Sequence, residues 1–219
     1  MEDINWFGHS SFSFIDKNGN RIYYVDPLDL NPTMLEKADL VFITHAHPDH
    51  FSPSDLAKIL KDETIIIAPP DVLEAIDLPD NKKLAVVPLR SYEIQSFKFQ
   101  TIPAYNTHPD KLHFHPKINN WVGYIFELNG KKIYHAGDTD FTKDLELLKD
   151  AQLDVAILPM DGIYCMNFEE AARAANAIAA KITVPMHYRI QNPDNYLELE
   201  EKFKQLVTNS EVLVLEELR

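Results

Sequence analysis

The sequence predicts an α/β protein in which a mixed β-sheet, or a pair of sheets, is covered by helices. Hairpin-forming strands dominate the first third of the 219-residue chain, whereas the last third alternates helices with strands. Hairpins followed by βα units are typical of folds that mix antiparallel and parallel strands. No internal repeat and no Ser/Gly/Pro-rich linker divides the sequence, so we expect a single domain over residues 1–219.

The first third supplies the hairpins and one buried strand. Two β-rich runs, INWFGHSSFSFID and RIYYVD, are joined by KNGN, in which Asn18-Gly19 offers the positive φ angles of a tight turn. DLVFIT is a continuous apolar run, as expected for a strand buried on both faces. SPSDLAKILKD is predicted to be a helix, with Ser52 as its N-cap, Pro53 at the first helical position and Asp55 in the first turn.

The later elements follow the same reasoning. Strands are predicted over TIIIA, KLAVVPL, FKFQTIPA, WVGYIFEL and KKIYHAGD, with a short helix over PDVLEAI and a second hairpin turn at Asn129-Gly130. The last third alternates the helices FTKDLELLKD, NFEEAARAANAIAA and NYLELEEKFKQLV with the strands DVAILPM, KITVPMH and EVLVLEEL. The irregular stretch from Tyr105 to Asn120 is long for a compact domain, and such loops are commonly functional.

Composition narrows the function classes. A formal net charge of −13 argues against nucleic acid as a partner, because nucleic-acid binders need a basic surface. A single cysteine, Cys165, cannot form an internal disulfide, as suits a reducing compartment. The sequence has no apolar run of about 20 residues, and MEDINWFGHS does not resemble a signal peptide. We therefore expect a cytoplasmic protein with no membrane partner.

The strongest chemical signal is THAHPDH, residues 44–50, directly behind an apolar strand. His45 and His47 are two positions apart, so in an extended backbone they point to the same side; Asp49 and His50 follow in the turn. Imidazole with carboxylate is the ligand mixture favoured by zinc and accepted by iron, manganese or nickel. Four candidate ligands in six residues are more than one tetrahedral ion takes comfortably from one tight loop, which favours two neighbouring ions.

Two distant segments also carry a candidate ligand at the end of a strand. IYHAGDTD leads an apolar strand to Asp138, and ITVPMHY leads another to His187. Alone, Asp138 is more often a turn former and His187 an ordinary strand-end histidine. Together they gain weight, because sites in α/β sheets collect at the carboxyl ends of strands.

Taken in order, THAHPDH, HAGDTD and VPMH resemble the metallo-β-lactamase superfamily over essentially the whole chain. WFGHSSF and VDP are similar to the branch with ascorbate-phosphate lactonase-like and N-acylphosphatidylethanolamine phospholipase-like proteins. The resemblance implies an αββα sandwich, in which two mixed β-sheets are flanked by helices, with a dinuclear metal site along one edge. The ligands that it implies are His45 and His47 for the first ion, Asp49, His50 and His187 for the second, and Asp138 as the bridge.

The remaining ligand of the first ion departs from the common pattern, since Asn106 stands where many relatives place a histidine. Asn106, His108, His113 and His115 are the nearby residues that could substitute. We favour His115, because FHPK just before WVGY looks like a recurring feature of one subgroup. Without such a ligand, the site would be mononuclear or would have an open first position.

Other residues have candidate supporting roles. His9, in GHS at a strand end, either faces the site or is a hydrogen-bonded structural histidine. The resemblance suggests that Asp26 orients a ligand histidine by accepting its hydrogen bond, although Asp26-Pro27 would also suit the start of a turn. His135 is interpreted as structural, and no partner that would activate Cys165 as a nucleophile is visible in the sequence.

These features predict a metal-dependent hydrolase. A hydroxide held between two divalent ions, zinc in the first instance, would attack a small ester, lactone or phosphodiester. Asp49 would bind metal and orient that hydroxide or shuttle its proton. The expected partner is a small-molecule substrate, and a homo-oligomer is left open. The alternative is a non-catalytic metal-binding or regulatory protein that retains the fold; Asn106 favours it, whereas the intact Asp49, Asp138 and His187 oppose it.

Overall fold

The computed structural model describes residues 3–19 and 21–218. The chain forms two compact units, one running up to Val87 and including the segment from Glu216 onwards, the other comprising Pro88–Leu215. Each unit contains one mixed β-sheet. The prediction of mixed sheets accompanied by helices is therefore confirmed, while the single-domain expectation stays a prediction.

The N-terminal unit is built on a sheet whose spatial order follows the sequence. Its strands are β1 (Ile4–Gly8), β2 (Ser11–Ile15), β3 (Ile22–Val25), β4 (Leu40–Phe42), β5 (Ile65–Ala68) and β6 (Lys83–Ala85). The first three strands pair antiparallel and the remaining pairs are parallel. All three residues of β4 are buried between β3 and β5, as the continuous apolar run predicts.

Two helices of this unit follow parallel strands. They are α1 (Pro53–Ile59) and α2 (Pro70–Glu74). The start of α1 is as predicted: the Ser52 hydroxyl accepts the Asp55 N–H at 3.3 Å, and Pro53 takes the first position. Leu56 and Ile59 of this helix are buried in an apolar cluster with residues of the sheet, including Val41 and Ile66.

The C-terminal unit is built on a second sheet, in which an antiparallel meander continues into parallel strands. Its strands are β7 (Ser91–Ile94), β8 (Phe97–Pro103), β9 (Val122–Leu128), β10 (Lys131–His135), β11 (Val155–Pro159), β12 (Ile182–Met186) and β13 (Glu211–Val212). Its helices are α3 (Lys143–Glu146), α4 (Phe168–Ile178) and α5 (Tyr196–Leu206). Strands β10, β11 and β12 are adjacent and parallel, so the residues that follow them meet at one edge.

The two predicted hairpin turns differ. Asn129 and Gly130 have φ of +56° and +75°, and they connect Leu128 to its pairing partner Lys131, as a two-residue turn requires. At the first turn, Gly19 has φ of +67°, whereas Asn18 does not have a positive φ. The predicted hairpin is confirmed, because β2 and β3 pair antiparallel with Ile15 opposite Ile22. The positive φ predicted for Asn18 is wrong, and in place of a two-residue turn the strands are joined by a longer loop in which the Asp16 backbone oxygen accepts the Gly19 N–H.

Several predicted elements have other bounds in the structure. INWFGHSSFSFID divides into β1 and β2, and the edge strand β7 was not predicted. FTKDLELLKD forms only the short helix α3, followed by a 3₁₀ turn over Leu147–Ala151. EVLVLEEL contributes only β13 as a strand, while Glu217 forms an isolated bridge with Trp6.

Candidate metal centre

The histidines of THAHPDH lie in the loop between β4 and α1. A turn in which His47 O accepts the N–H groups of His50 and Phe51 folds this loop back on itself. As a result, His45 Nε2 lies 3.1 Å from His47 Nδ1, and the rings of His45 and His50 have centroids 3.9 Å apart. We call the group His45, His47, Asp49 and His50 the histidine corner.

Asp26 supports the corner from the end of the neighbouring strand β3. It is fully buried, and its carboxylate accepts the Thr44 N–H at 2.8 Å, the Thr44 hydroxyl at 2.7 Å and His50 Nδ1 at 2.8 Å. A carboxylate with these partners is an acceptor, so His50 carries its proton on Nδ1 and presents the lone pair of Nε2. An imidazole held in this way is the usual form of a metal-ligating histidine.

Thr44 extends the same arrangement to His45. Its hydroxyl donates its proton to Asp26, so towards His45 Nδ1, at 2.9 Å, it can only accept. His45 is therefore also protonated on Nδ1 and carries its lone pair on Nε2. One buried carboxylate thus fixes the tautomers of two histidines.

His9 contacts the acidic member of the corner. Its Nε2 lies 3.0 Å from Asp49 Oδ2, and its backbone oxygen accepts the Trp6 indole N–H at 3.0 Å. His9 is buried, whereas 42% of the Asp49 side chain is exposed. Asp49 is therefore held at one carboxylate oxygen and is accessible to water.

In the C-terminal unit, Asp138 lies between two imidazoles. His115 Nε2 and His187 Nε2 lie 3.3 and 3.1 Å from Asp138 Oδ2, and all three side chains are buried. Two ligands of a tetrahedral zinc ion with bonds of about 2.0–2.1 Å lie about 3.3 Å apart. These atoms thus have the spacing and the chemistry of metal ligands. We call His115, Asp138 and His187 the Asp138 cluster.

His187 has a carboxylate behind it, as His50 does. Its Nδ1 lies 3.3 Å from Asp161 Oδ2, and both side chains are fully buried. Asp161 in turn accepts the backbone N–H groups of Ile163, Tyr164 and Cys165 at 2.8–3.2 Å, which fixes the carboxylate in place. Asp161 was not predicted from the sequence, although LPMD places it after β11 in the way that Asp138 and His187 follow β10 and β12.

The four candidates for the remaining ligand are placed differently. His108 and His113 are exposed, whereas Asn106 and His115 are buried. Only His115 lies at Asp138 among these four; the Asn106 side chain contacts His115, Asp140 and the backbone of Tyr164. His135, interpreted as structural, accepts the Gly137 N–H on Nδ1 and so supports the turn before Asp138.

Cys165 is a second residue that was not predicted to lie beside Asp138. One potential ligand atom from each of Cys165, Asp138 and His115 lies within 4.8 Å of the others. Burial raises the pKa of the Cys165 thiol well above its usual value, and the charges of Asp138 and Asp161 and a hydrogen bond to Asp138 raise it further. The group is therefore a neutral thiol that donates to Asp138, which does not suit a nucleophile.

Comparisons with known proteins, by sequence and by structure, give consistent results. A family model described as a beta-lactamase superfamily domain matches residues 3–187. UPF0173 metal-dependent hydrolases from Thermococcus onnurineus and Pyrococcus abyssi are 34% and 33% identical, each alignment covering 98% of this chain and 96% of the relative. A protein from Parabacteroides distasonis, whose name places it with metal-dependent hydrolases, has a crystal structure that matches with a TM-score of 0.84 at 30% identity, over 98% of this chain and 93% of that chain.

A further solved structure supports the fold alone. Igni18, a metallo hydrolase from Ignicoccus hospitalis, matches with a TM-score of 0.75 at 24% identity, over 99% of this chain and 95% of that one.

The helices in the described part of the chain were also compared with the length and hydropathy that a membrane span needs, and none of them meets both requirements.

Proposed function

Because this chain belongs to the metallo-β-lactamase superfamily, we propose that it is a metal-dependent hydrolase that cleaves a small ester, lactone or phosphodiester. The family assignment also confirms the predicted fold class, two mixed sheets with helices in the metallo-β-lactamase fold. The relatives named above support metal-dependent hydrolysis as such. The substrate class and the use of two ions, zinc in the first instance, are our proposal.

One observation carries this proposal: an oxygen atom lies at Nδ1 of each of four candidate ligand histidines. Thr44 faces His45, Asp26 faces His50 and Asn106 faces His115 at hydrogen-bond distances of 2.8–2.9 Å, and Asp161 Oδ2 forms an ion pair with His187 at 3.3 Å. A purely structural role does not require an acceptor at Nδ1 of each histidine. Ligation of a metal through Nε2 favours this arrangement, because an acceptor at Nδ1 fixes the tautomer and raises the basicity of the ligand.

The donor set in each unit fits a divalent cation of borderline softness. The histidine corner offers imidazole nitrogens with one carboxylate, and the Asp138 cluster offers two imidazoles with one carboxylate. Such mixed nitrogen and oxygen sets suit zinc, and also manganese, iron or nickel. In our proposal, His45, His47 and His115 would hold the first ion, Asp49, His50 and His187 would hold the second, and Asp138 would be shared by both.

When bound, the ions supply a water of lowered pKa and polarise the carbonyl or phosphoryl oxygen of the substrate. Two observations support a proton-transfer role for Asp49: His9 holds one carboxylate oxygen, and the side chain is 42% exposed. We assign to Asp49 the acceptance and return of a proton at this carboxylate, a role that typically contributes about 10²- to 10⁴-fold to the rate. His9 keeps the carboxylate oriented for that step.

The experiment that tests the proposal replaces Asp138 with Ala. Turnover of bis(p-nitrophenyl) phosphate and of simple lactones should fall below detection, and metal content should drop from about two ions per chain. Asp150→Ala, at an exposed position, is the matched control and should change neither readout. A fully active Asp138→Ala enzyme would refute the ligand assignment.

A second pair of variants addresses the remaining ligand of the first ion. His115→Ala should lose one ion per chain, whereas His113→Ala, an exposed histidine of the same loop, should retain both.

The wild-type protein itself separates the two candidate functions. If it binds about two ions and turns over no ester, lactone or phosphodiester, the non-catalytic metal-binding protein replaces the hydrolase as the better proposal.

A further inference from the structure

Asn106 is a buried amide with a partner at each of its polar atoms. Its Oδ1 accepts the backbone N–H of His115 at 3.0 Å and lies 2.8 Å from His115 Nδ1. Its Nδ2 donates to Asp140 Oδ1 and to the backbone oxygen of Tyr164, both at 2.9 Å. Asn106, His115 and Asp140 are each no more than 3% exposed.

The orientation of this amide is dictated by groups whose polarity cannot change. Asp140 Oδ2 already accepts the backbone N–H groups of Thr107 and His108, which shows that the carboxylate is an acceptor. The Tyr164 carbonyl can only accept, and the His115 backbone N–H can only donate. A flipped amide would set oxygen against two acceptors and NH₂ against a donor, so Asn106 must present Oδ1 to His115.

We infer that Asn106 is a positioning residue. Asp140 helps to fix the orientation of its amide, and that orientation selects the tautomer of His115. Because Oδ1 is an acceptor, His115 carries its proton on Nδ1 and its lone pair on Nε2, the atom that lies 3.3 Å from Asp138 Oδ2. The inference rests on the proposed function, in which His115 is a metal ligand. It also assigns Asn106 a role outside the metal's own ligands, at the position where a histidine was expected.

The chemistry explains why the position holds an amide. An aspartate here would also accept from His115, but it would place a second carboxylate 2.9 Å from Asp140 Oδ1. A leucine would leave the His115 N–H groups and Asp140 Oδ1 without this partner. Asparagine is the residue of suitable length that accepts on one side and donates on the other.

The test begins with the metal-free protein, so that it depends on neither metal nor substrate. With ¹⁵N-labelled histidine at a pH where His115 is neutral, the imidazole nitrogen shifts should show Nδ1–H in the wild type. Asn106→Leu should move the proton to Nε2. Asp140→Asn should shift it only in part, because its NH₂ group faces the NH₂ group of Asn106 and weakens the hold on that amide, while the Tyr164 carbonyl and the His115 N–H still oppose a flip. The double variant Asn106→Asp/Asp140→Asn restores an acceptor to His115 and a donor to residue 106, and should return the proton to Nδ1.

The metal readout follows on the same proteins. Zinc affinity, measured by chelator competition, should weaken about 10- to 100-fold in Asn106→Leu, weaken less in Asp140→Asn and recover in the double variant. His113→Ala, exposed on the same loop, should match the wild type in both measurements. Nδ1–H in the wild type with no zinc binding would refute the proposed function and leave the tautomer assignment standing. Nε2–H in the metal-free wild type, or an unchanged tautomer in Asn106→Leu, would overturn this inference whatever the activity.

Discussion

Three residues around the two clusters adopt a backbone conformation that non-glycine residues avoid. His9, Asp26 and His187 have φ of +50°, +47° and +61°. Each such residue costs of order 1 kcal/mol or more, and the strain persists only where the surroundings over-determine it. Here Asp26 is held by Thr44 and His50, and His187 by Asp161. At these three positions, the strained backbone directs a side chain towards a member of one of the two clusters.

In our proposal, Asp26 couples stability to metal binding, because its carboxylate holds both Thr44 and the candidate ligand His50. In Asp26→Asn, an NH₂ group would replace one carboxylate oxygen. It would face either the Thr44 backbone N–H or both the Thr44 hydroxyl and His50 Nδ1, all of which now donate to the carboxylate. We expect the metal-free protein to lose about 1–3 kcal/mol of unfolding free energy and zinc affinity to fall about 10- to 100-fold. Urea unfolding and chelator competition measure the two effects.

Asp29→Asn is the matched control for this variant, because Asp29 is exposed and also has a positive φ, +52°. It should leave both measurements unchanged. An Asp26→Asn protein that keeps wild-type zinc affinity would show that His50 does not depend on this carboxylate.

Local sequence was sufficient to propose candidate ligands that lie just beyond the end of a strand. THAHPDH, Gly137-Asp138 and His187 each follow an apolar run, so they could be proposed from spacing alone. The partners behind them could not, because their contacts span long sequence distances: Asn106 meets Asp140, 34 residues away, and Tyr164, 58 residues away. The role of Asn106 therefore had no signal in its own neighbourhood.

At the scale of elements, the histidine loop is anchored at its far end by the start of α1. Asp55 is buried and accepts the Asp29 and Leu30 amides at 3.1 and 3.0 Å, the Ser52 hydroxyl at 2.7 Å and Lys58 Nζ at 2.8 Å. Burial alone would raise the pKa of the Asp55 carboxyl, but hydrogen bonds from Lys58, Ser52 and Leu30 hold it below its usual value. The carboxylate thus joins α1 to the segment after β3.

A lowered pKa fixes the sign of the pH dependence. The Asp55 carboxylate contributes stability above the unfolded-state pKa, about 4, and this contribution is lost as pH falls through the folded-state value. Asp55→Asn should therefore be about 1–3 kcal/mol less stable than the wild type near neutral pH, and the gap should narrow below about pH 4. Urea unfolding at pH 7 and pH 3 measures it, with the exposed Asp62→Asn as control. A gap that widens in acid would contradict the assignment.

Strand β9 carries the glycine that allows close approach to the Asp138 turn. A Cβ on Gly123 would lie 2.6 Å from the backbone oxygen of Ala136 and 2.7 Å from that of His135. Neither oxygen belongs to a flexible side chain, so Gly123→Ala must displace the backbone directly before Asp138. We expect a loss of about 1–3 kcal/mol in unfolding free energy together with weaker zinc binding.

Glu127→Ala is the control in the same strand, because that side chain is exposed. Chemical unfolding and zinc titration compare the two variants. Wild-type zinc affinity in Gly123→Ala would show that the turn before Asp138 tolerates displacement.

The prediction of individual elements failed where the spacing of apolar residues fits more than one type of secondary structure. In FTKDLELLKD, Leu145 and Leu148 are buried and Leu147 is 73% exposed. This three-residue spacing of buried leucines is compatible with an α-helix and with the tighter 3₁₀ turn that follows α3. Strand β7 escaped detection because SYEI is half polar and lies at the edge of its sheet. The fold class was nevertheless predictable, since it depends on the order of hairpins and βα units.

At the scale of the whole molecule, charge bears on the choice of substrate. Asp and Glu residues number 34 against 21 Lys and Arg, a formal net charge of −13. Such a field slows the approach of anions and leaves neutral molecules unaffected. Bound metal cations would offset this negative field only in their own surroundings. The ionic-strength dependence of turnover therefore distinguishes a phosphodiester from a neutral ester or lactone.

We expect kcat/KM for bis(p-nitrophenyl) phosphate to rise a few-fold between about 0.01 and 0.1 M salt, because the Debye length falls from about 30 to about 10 Å and screens the repulsion. The value for a neutral lactone should stay constant over this range, which also controls for effects of salt on the fold. Steady-state kinetics with both substrates on one preparation provide the comparison. A kcat/KM for the phosphodiester that falls with salt would mean that local positive charge outweighs the net charge, and would favour an anionic physiological substrate.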